Sequence, residues 1–168
     1  MGINLFRYIE DAKELGAYDA KVINTNTIKT APWTIMKCKY GCSNYNSNLC
    51  CPPNTPTYKK MQEIVDCYDW AILVQCKSDL SSTAKIIVEL EKKFFLSGYY
   101  KALGFGAGPC QLCEKCNMEK CKHPSEARPS MESCGIDVYE TVKMNGFPIG
   151  VLKNREGEKN CYGLVLIE

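Results

Sequence analysis

The chain has 168 residues, of which 45% are hydrophobic and 24% are charged. These proportions exclude a disordered tail and a collagen-like chain, and the net charge of +2 gives no reason to expect nucleic acid or an anionic membrane as a partner. The 12 cysteines are the unusual feature. A chain of this length buries about 68–70% of its unfolded surface, so it does not need cysteines to stabilise its core.

Periodic apolar residues and turn residues predict helices that alternate with strands. Asn4 and Gly16 bound a first helix, a strand covers residues 20–23, and an extended piece covers residues 27–36 with an interruption at Pro32. The later predicted elements are a helix opened by Thr55 and Pro56, a strand over 70–76, a helix capped by Ser81 or Ser82 and ending at Gly98, a strand over 99–105, a helix opened by Pro129 and Ser130 and stopped by Asn145 and Gly146, and a strand over 164–167.

This alternation predicts a single α/β domain over residues 1–168. The expected architecture is a mixed sheet of about four to five strands with crossover helices. The cysteines fall in the irregular stretches between these elements. We therefore expect cysteine-rich loops to form a metal-cluster region, with metal-binding segments at residues 38–53 and 106–134.

The compartment decides how clustered cysteines are interpreted. No secretory signal is visible, because Glu10 and Asp11 interrupt the stretch where an apolar core would run. The apolar runs at 70–74 and 164–167 are too short to span a bilayer. We therefore expect a cytoplasmic protein without a membrane partner. In a reducing cytoplasm such cysteines indicate metal or redox chemistry, whereas an extracellular disulfide framework is the alternative.

The second cysteine group has the spacing Cys110-x2-Cys113-x2-Cys116-x4-Cys121. A tight C-x2-C-x2-C loop can supply thiolates to three corners of an iron–sulfur cubane. The bacterial ferredoxin pattern has its fourth cysteine after three residues and a proline directly behind it. Here the gap is four residues and Pro124 comes later, so the spacing does not identify the fourth ligand.

The first group is Cys38-x3-Cys42-x7-Cys50-Cys51-Pro52-Pro53. Adjacent Cys50 and Cys51 point in different directions in an extended backbone, so they need not bind the same metal. Cys51 could reach across to the Cys110 group while Cys121 completes a site with Cys38, Cys42 and Cys50. Alternatively, each group closes its own site. In both arrangements the eight cysteines suffice for two [4Fe–4S] clusters.

Zinc is the alternative metal. Structural zinc sites draw on two short C-x2–4-C pairs, whereas the Cys110 group places a third thiolate close to the first two. The one histidine, His123, nearly excludes a histidine-containing zinc site. Cysteines outside the two groups are expected to pack as small apolar residues, with Cys134 also weighed as a spare ligand. These packing residues are Cys67 in a helix, Cys76, Cys134 and Cys161.

The combined pattern resembles a known family. The matching pieces are Cys38-x3-Cys42, Cys51-Pro-Pro53, Gly106-Ala-Gly-Pro-Cys110 with the three cysteines that follow, His123-Pro, Ala127-Arg-Pro-Ser-Met-Glu132 and Gly135-Ile-Asp-Val138. They resemble a cysteine-rich "predicted metal-binding protein" family, a domain of unknown function found largely in anaerobic archaea and bacteria. The resemblance spans residues 38–147 and implies metal binding in an anaerobic setting, without supplying a reaction. The ligand roles that it implies fall on Cys38, Cys42, Cys51, Cys110, Cys113, Cys116 and Cys121.

Three functions follow from these observations. The leading one is a non-enzymatic electron carrier or redox subunit with one or two [4Fe–4S] clusters and a redox partner protein or enzyme. The second is an enzyme in which a trio such as Cys38, Cys42 and Cys51 leaves one iron open to a small substrate. The third is a structural or interaction module stabilised by zinc. Substrate-holding candidates for the enzyme are Arg128, Ser130, Glu132 and Asp137.

Overall fold

The computed structural model describes residues 5–77, 79–152 and 159–168. Within them the chain forms helices and strands in the order α1 (Arg7–Glu14), β1 (Asp19–Asn24), α2 (Trp33–Gly41), α3 (Tyr58–Val65), β2 (Trp70–Cys76), α4 (Leu80–Leu96), β3 (Leu103–Phe105), α5 (Val138–Met144) and β4 (Cys161–Leu166). Two 3-10 turns, Thr25–Thr27 and Glu132–Cys134, complete the regular structure of this part of the chain.

The described strands form one sheet in the order β1-β2-β4-β3. All of its adjacent pairs are antiparallel, with Ala20 opposite Val74, Leu73 opposite Leu164 and Phe105 also opposite Leu164. The α/β class and the four strands are confirmed. The sheet is antiparallel rather than mixed, and the expected crossover helices are not confirmed.

Helices cover both faces of the sheet, because its central strands are apolar on both sides. Ile72 and Val74 of β2 pack with α1 and α4 on one face. Leu73 packs with α3 and α5 on the other face. Close contact with α4 depends on Gly163 in β4, where an added Cβ would lie 2.6 Å from Ile87 Cγ1. The core therefore has the sheet as its middle layer.

The extended piece predicted over residues 27–36 is wrong from Trp33 onward, because α2 begins there. Before it, Ile28 is extended and Thr30 forms an isolated bridge with Ile136. Pro32 immediately precedes the first helical residue. A proline costs nothing there, since the N–H that it lacks has no partner inside the helix. Sequence reasoning took Pro32 as an interruption of a strand, whereas it marks the start of the helix that carries Cys38.

Three helix starts also differ from prediction. Thr57 rather than Thr55 caps α3, and the Asp79 side chain caps α4 by accepting from the backbone N–H of Ser82. Pro129 and Ser130 open no helix. The chain there makes the turn Glu132–Cys134, reaches Gly135 at φ +87°, and enters α5 behind the cap Asp137. The predicted cap Asn4 lies outside the described residues.

In the described part of the chain, no helix combines the length and the apolar character needed to cross a membrane.

Candidate metal centre

Cys38 and Cys42 lie at the end of α2. Cys38 is in the last turn of the helix, and Cys42 follows its final residue with an extended backbone. The backbone N–H of Cys42 donates to the carbonyl of Cys38 at 3.3 Å. Both thiols are at least partly accessible to solvent. The helix end therefore fixes the two cysteines close together.

Cys50 and Cys51 lie in a turn organised by Asn48. The Asn48 side chain accepts from the backbone N–H of Cys50 at 2.9 Å and donates through Nδ2 to the Cys51 sulfur at 3.3 Å. Asn54 Nδ2 in turn donates to the Asn48 carbonyl at 3.2 Å. Sequence reasoning missed Asn48. The signal was available, since an Asn two residues before a turn position commonly bonds the backbone there.

The second group lies on a long loop with closed ends. At the base of the loop the N–H of Gly106 donates to the carbonyl of Pro129 at 2.8 Å. The side chains of Arg128 and Glu91 form a salt bridge of 2.6 Å at the same place. The loop itself has no helix or strand in its described residues. These contacts therefore hold the two ends of the loop together.

One small cavity joins the two cysteine groups. It has a volume of about 20 Å³. Five cysteines from the two groups line this cavity, namely Cys50, Cys110, Cys113, Cys116 and Cys121. The backbone N–H of His123, which also lines the cavity, donates to the Cys121 sulfur at 3.4 Å. Cys50 is thus the member of the first group that lines this cavity together with the Cys110 loop.

Crowding of these thiols changes their acidity. Burial and the neighbouring Cys110, Cys121 and Cys51 together raise the pKa of Cys50 to about 12. Cys50 and Cys110 also share a hydrogen bond between their side chains. A thiolate at this place is costly without a cation, because it is partly desolvated and meets other sulfurs. A bound metal would remove that cost.

Cys38, Cys51 and Cys42 form a second neighbourhood. Burial raises the pKa of Cys38, and Cys42, Cys51 and Glu132 add to the increase. Burial raises the pKa of Cys51 as well, and the hydrogen bond from Asn48 partly lowers it. The neighbouring Cys42, Cys110 and Cys116 raise the pKa of Cys51 further. Cys51 therefore lies between the two groups and interacts with both.

Glu132 belongs to this neighbourhood, whereas the other predicted substrate-holding residues do not. Glu132 lines a cleft that Cys38 and Cys42 also line, and loss of solvation in the surrounding protein raises the pKa of its carboxyl. Arg128 is paired with Glu91, and Asp137 caps α5. The Ser130 hydroxyl accepts from the Ser133 N–H at 3.1 Å.

All 12 cysteines lie in the described part of the chain, and all are reduced thiols. Cys76, Cys134 and Cys161 are buried in the core, as expected for packing residues. The prediction for Cys67 is wrong. It follows α3 instead of lying within it, and it is exposed, with its sulfur 3.3 Å from the Glu63 carbonyl.

The donor set fits a thiolate-bound metal chemically, since soft thiols are the ligands of zinc and of iron–sulfur clusters. Across residues 5–77, 79–152 and 159–168, however, no group of three or more histidine, cysteine, aspartate or glutamate side chains is arranged to hold a single ion.

The sequence profile of the family described as "Predicted metal-binding protein (DUF2284)" matches residues 21–167. The chain belongs to this family. The match includes every cysteine of both groups, so it agrees with the resemblance seen in the sequence and supports metal binding without naming the metal. Comparison of this DUF2284 member with curated proteins and with solved structures finds no significant match.

Proposed function

We propose that this protein is an iron–sulfur protein that transfers single electrons. The observation that carries the proposal is the small cavity lined by Cys50 and the four cysteines of the Cys110 loop. Four of these thiols would hold a [4Fe–4S] cluster, and their side chains would have to move apart to admit it, because the cavity of about 20 Å³ is smaller than the cluster. When bound, such a cluster supplies one-electron transfer at a potential set by burial and by hydrogen bonds to sulfur.

One feature favours iron–sulfur over zinc at this cavity. The C-x2-C-x2-C spacing brings three thiols from one short loop, which suits the separate corners of a cubane. A zinc-stabilised structural module is the alternative that metal analysis would reveal.

The chain's own residues would tune the site. The His123 N–H donates to the Cys121 sulfur, and Asn48 Nδ2 donates to the Cys51 sulfur. Hydrogen bonds to a thiolate stabilise its negative charge and so tune the potential of the cluster that it binds. A cytoplasmic redox partner protein or enzyme would exchange the electron at the exposed Cys110 loop.

A second candidate function is enzymatic, and the cleft beside Cys38 and Cys42 favours it. The cleft has a volume of about 630 Å³, so a small organic molecule could reach these thiols. Cys38, Cys42 and Cys51 would supply three ligands, leaving a metal position open to act as a Lewis acid. The Cys110 loop would then serve as the electron-transfer site.

The first experiment is to measure iron, zinc and acid-labile sulfide in anaerobically purified protein, with visible spectra before and after dithionite. About four irons with equal sulfide would indicate one cubane, and about eight would indicate two. Cys50→Ser should lower the iron content or change the spectrum, whereas the exposed Cys67→Ser should do neither. A colourless protein with one or two zinc ions would overturn the redox proposal.

A further inference from the structure

The large cleft contains features that the metal proposal does not use. Its volume of about 630 Å³ lies within the range of small-molecule sites, which is about 300–1,000 Å³. Helix α2 supplies one wall through Trp33, Thr34 and Lys37, and the segment from residue 136 to residue 139 supplies another.

Large apolar side chains are exposed in this cleft. Trp33 is 43% exposed and Tyr139 is 39% exposed, and Val151 and Leu152 are also accessible. Exposed apolar side chains gathered in one concave place usually mark a binding site, because a monomer otherwise gains by burying them. A ligand for the cleft therefore has an apolar body.

The basic residues that line the cleft indicate that the ligand also carries a charged group. Lys37 and Lys159 both line it. Neither lysine forms a salt bridge with any residue of the described chain. Lys37 instead lies 5.7 Å from the centre of the Trp33 ring. The two ammonium groups, one of them next to an aromatic surface, would attract an anionic group to the cleft.

Among the described residues that line the cleft, Glu132 is the one acidic residue. Among the described residues, no salt bridge joins Glu132 to Lys37 or Lys159. With two basic residues against one acidic residue, the lining favours a negatively charged ligand.

We propose that the cleft between α2 and the segment 136–139 binds an amphipathic organic anion, such as an aryl or branched-chain carboxylate. Its carboxylate would pair with Lys37 and Lys159, and its apolar body would lie against Trp33 and Tyr139. This inference extends the enzymatic candidate, because the ligand would lie beside Cys38 and Cys42. Binding itself requires no metal, so it can fail independently of the iron–sulfur proposal.

The test is calorimetric titration of the full chain, as purified, with a matched series of ligands: 4-phenylbutyrate, its neutral amide and 4-phenylbutylamine. We expect the carboxylate to bind at least ten times more tightly than the amide. The double variant Lys37→Gln with Lys159→Gln should reduce this preference to about twofold or less. Trp33→Ala should weaken the carboxylate and the amide by similar factors.

The matched control is Lys59→Gln with Lys143→Gln, which removes two lysines outside the cleft and should leave the preference unchanged. Thermal unfolding verifies that each variant is folded. The proposal is overturned if the carboxylate does not bind at millimolar concentration, if the amine binds most tightly, or if the Lys37 and Lys159 variant retains the full preference. A normal metal content in the same sample would show that such a failure concerns the cleft alone.

Discussion

The carboxylate of Glu91 on α4 accepts two hydrogen bonds from the guanidinium of Arg128, at 2.6 and 2.7 Å. It also accepts a hydrogen bond from the backbone N–H of Gly104 in β3 at 2.7 Å. One carboxylate thus ties α4 to the strand before the Cys110 loop and to the residue that ends that loop. Both side chains of the pair are less than one-fifth exposed, at 18% for Arg128 and 14% for Glu91.

Breaking this pair should destabilise the fold. Arg128→Gln leaves the Glu91 carboxylate buried without its cation, so we expect a loss of about 2–4 kcal/mol in the free energy of unfolding. Urea unfolding of the metal-free protein measures it. The control is Lys60→Gln, whose partner Glu63 is an exposed neighbour on α3, and the expected loss there is below about 0.5 kcal/mol. Equal losses in the two variants would contradict the structural role of Arg128.

Local sequence signals account for the elements that were predicted correctly. The run 70–76 is almost wholly apolar and forms β2, buried on both faces, and the run 164–167 predicted β4 in the same way. Helix α2 was missed because residues 33–41 have no apolar stripe, so no helical period is visible. The exposure of Trp33 on this helix makes sense only once the surrounding cleft is known.

The spacing predicts the cysteines of both groups as ligands and leaves their pairing open, with Cys51 reaching across to the Cys110 group or each group closing its own site. The structure has Cys50 in the cavity lining beside the Cys110 loop. That placement depends on the turn around Asn48 and on the closure of a loop far away in sequence. The pairing of Glu91 with Arg128, 37 residues apart, and the strand order are equally invisible to local patterns.

Gly135 should tolerate no side chain. It has φ +87°, and an added Cβ would lie 2.6 Å from the Cα of Tyr58 at the start of α3. Backbone atoms cannot move aside cheaply, so Gly135→Ala should cost more than about 3 kcal/mol, which is the left-handed penalty of about 1–2 kcal/mol plus the clash. Thermal and urea unfolding test this expectation.

The matched control for that substitution is Gly98→Ala. Gly98 has a similar φ of +101°, but nothing lies within 4 Å of the added Cβ. We expect only the conformational penalty, about 1–2 kcal/mol. If the two alanine variants lose equal stability, the close contact between Gly135 and Tyr58 is not a constraint on the fold.

The buried Cys134 should make the protein sensitive to alkali. Burial raises the pKa of its thiol to about 12, whereas an unfolded cysteine has a pKa of about 8.5. A raised pKa gives stability that is present below the unfolded value and is lost as the pH rises toward the folded value. Between about pH 9 and 11 this thiol should contribute a decline of up to about 1.4 kcal/mol per pH unit.

Urea unfolding at several pH values, for the native protein and for Cys134→Ala, tests this contribution. The variant loses stability at neutral pH because it leaves a small cavity, yet its stability should decline less steeply above about pH 9. Cys67→Ala removes an exposed thiol and should keep the native slope. Parallel slopes for the native protein and Cys134→Ala would show that Cys134 does not resist ionisation in the folded state.

Metal binding at the Cys110 cavity should release protons. Burial and the neighbouring thiols raise the pKa of Cys50 to about 12, so this thiol is protonated in the metal-free protein at neutral pH. A metal binds the thiolate and must displace the proton, so the affinity should increase as the pH rises. Titration of metal-free protein with Co²⁺ under anaerobic conditions, in weak buffer with a pH indicator, measures the protons released for each ion bound.

Cys50→Ser distinguishes a ligand from a bystander in this titration. If Cys50 binds the metal, the variant should release about one proton fewer per ion and bind Co²⁺ at least ten times more weakly, because a serine hydroxyl rarely ionises to replace a thiolate. Cys67→Ser should match the native protein in both measurements, since its exposed thiol lies outside the cavity lining. Native proton release and affinity in Cys50→Ser would remove Cys50 from the ligand set and leave the four cysteines of the loop to bind the ion by themselves.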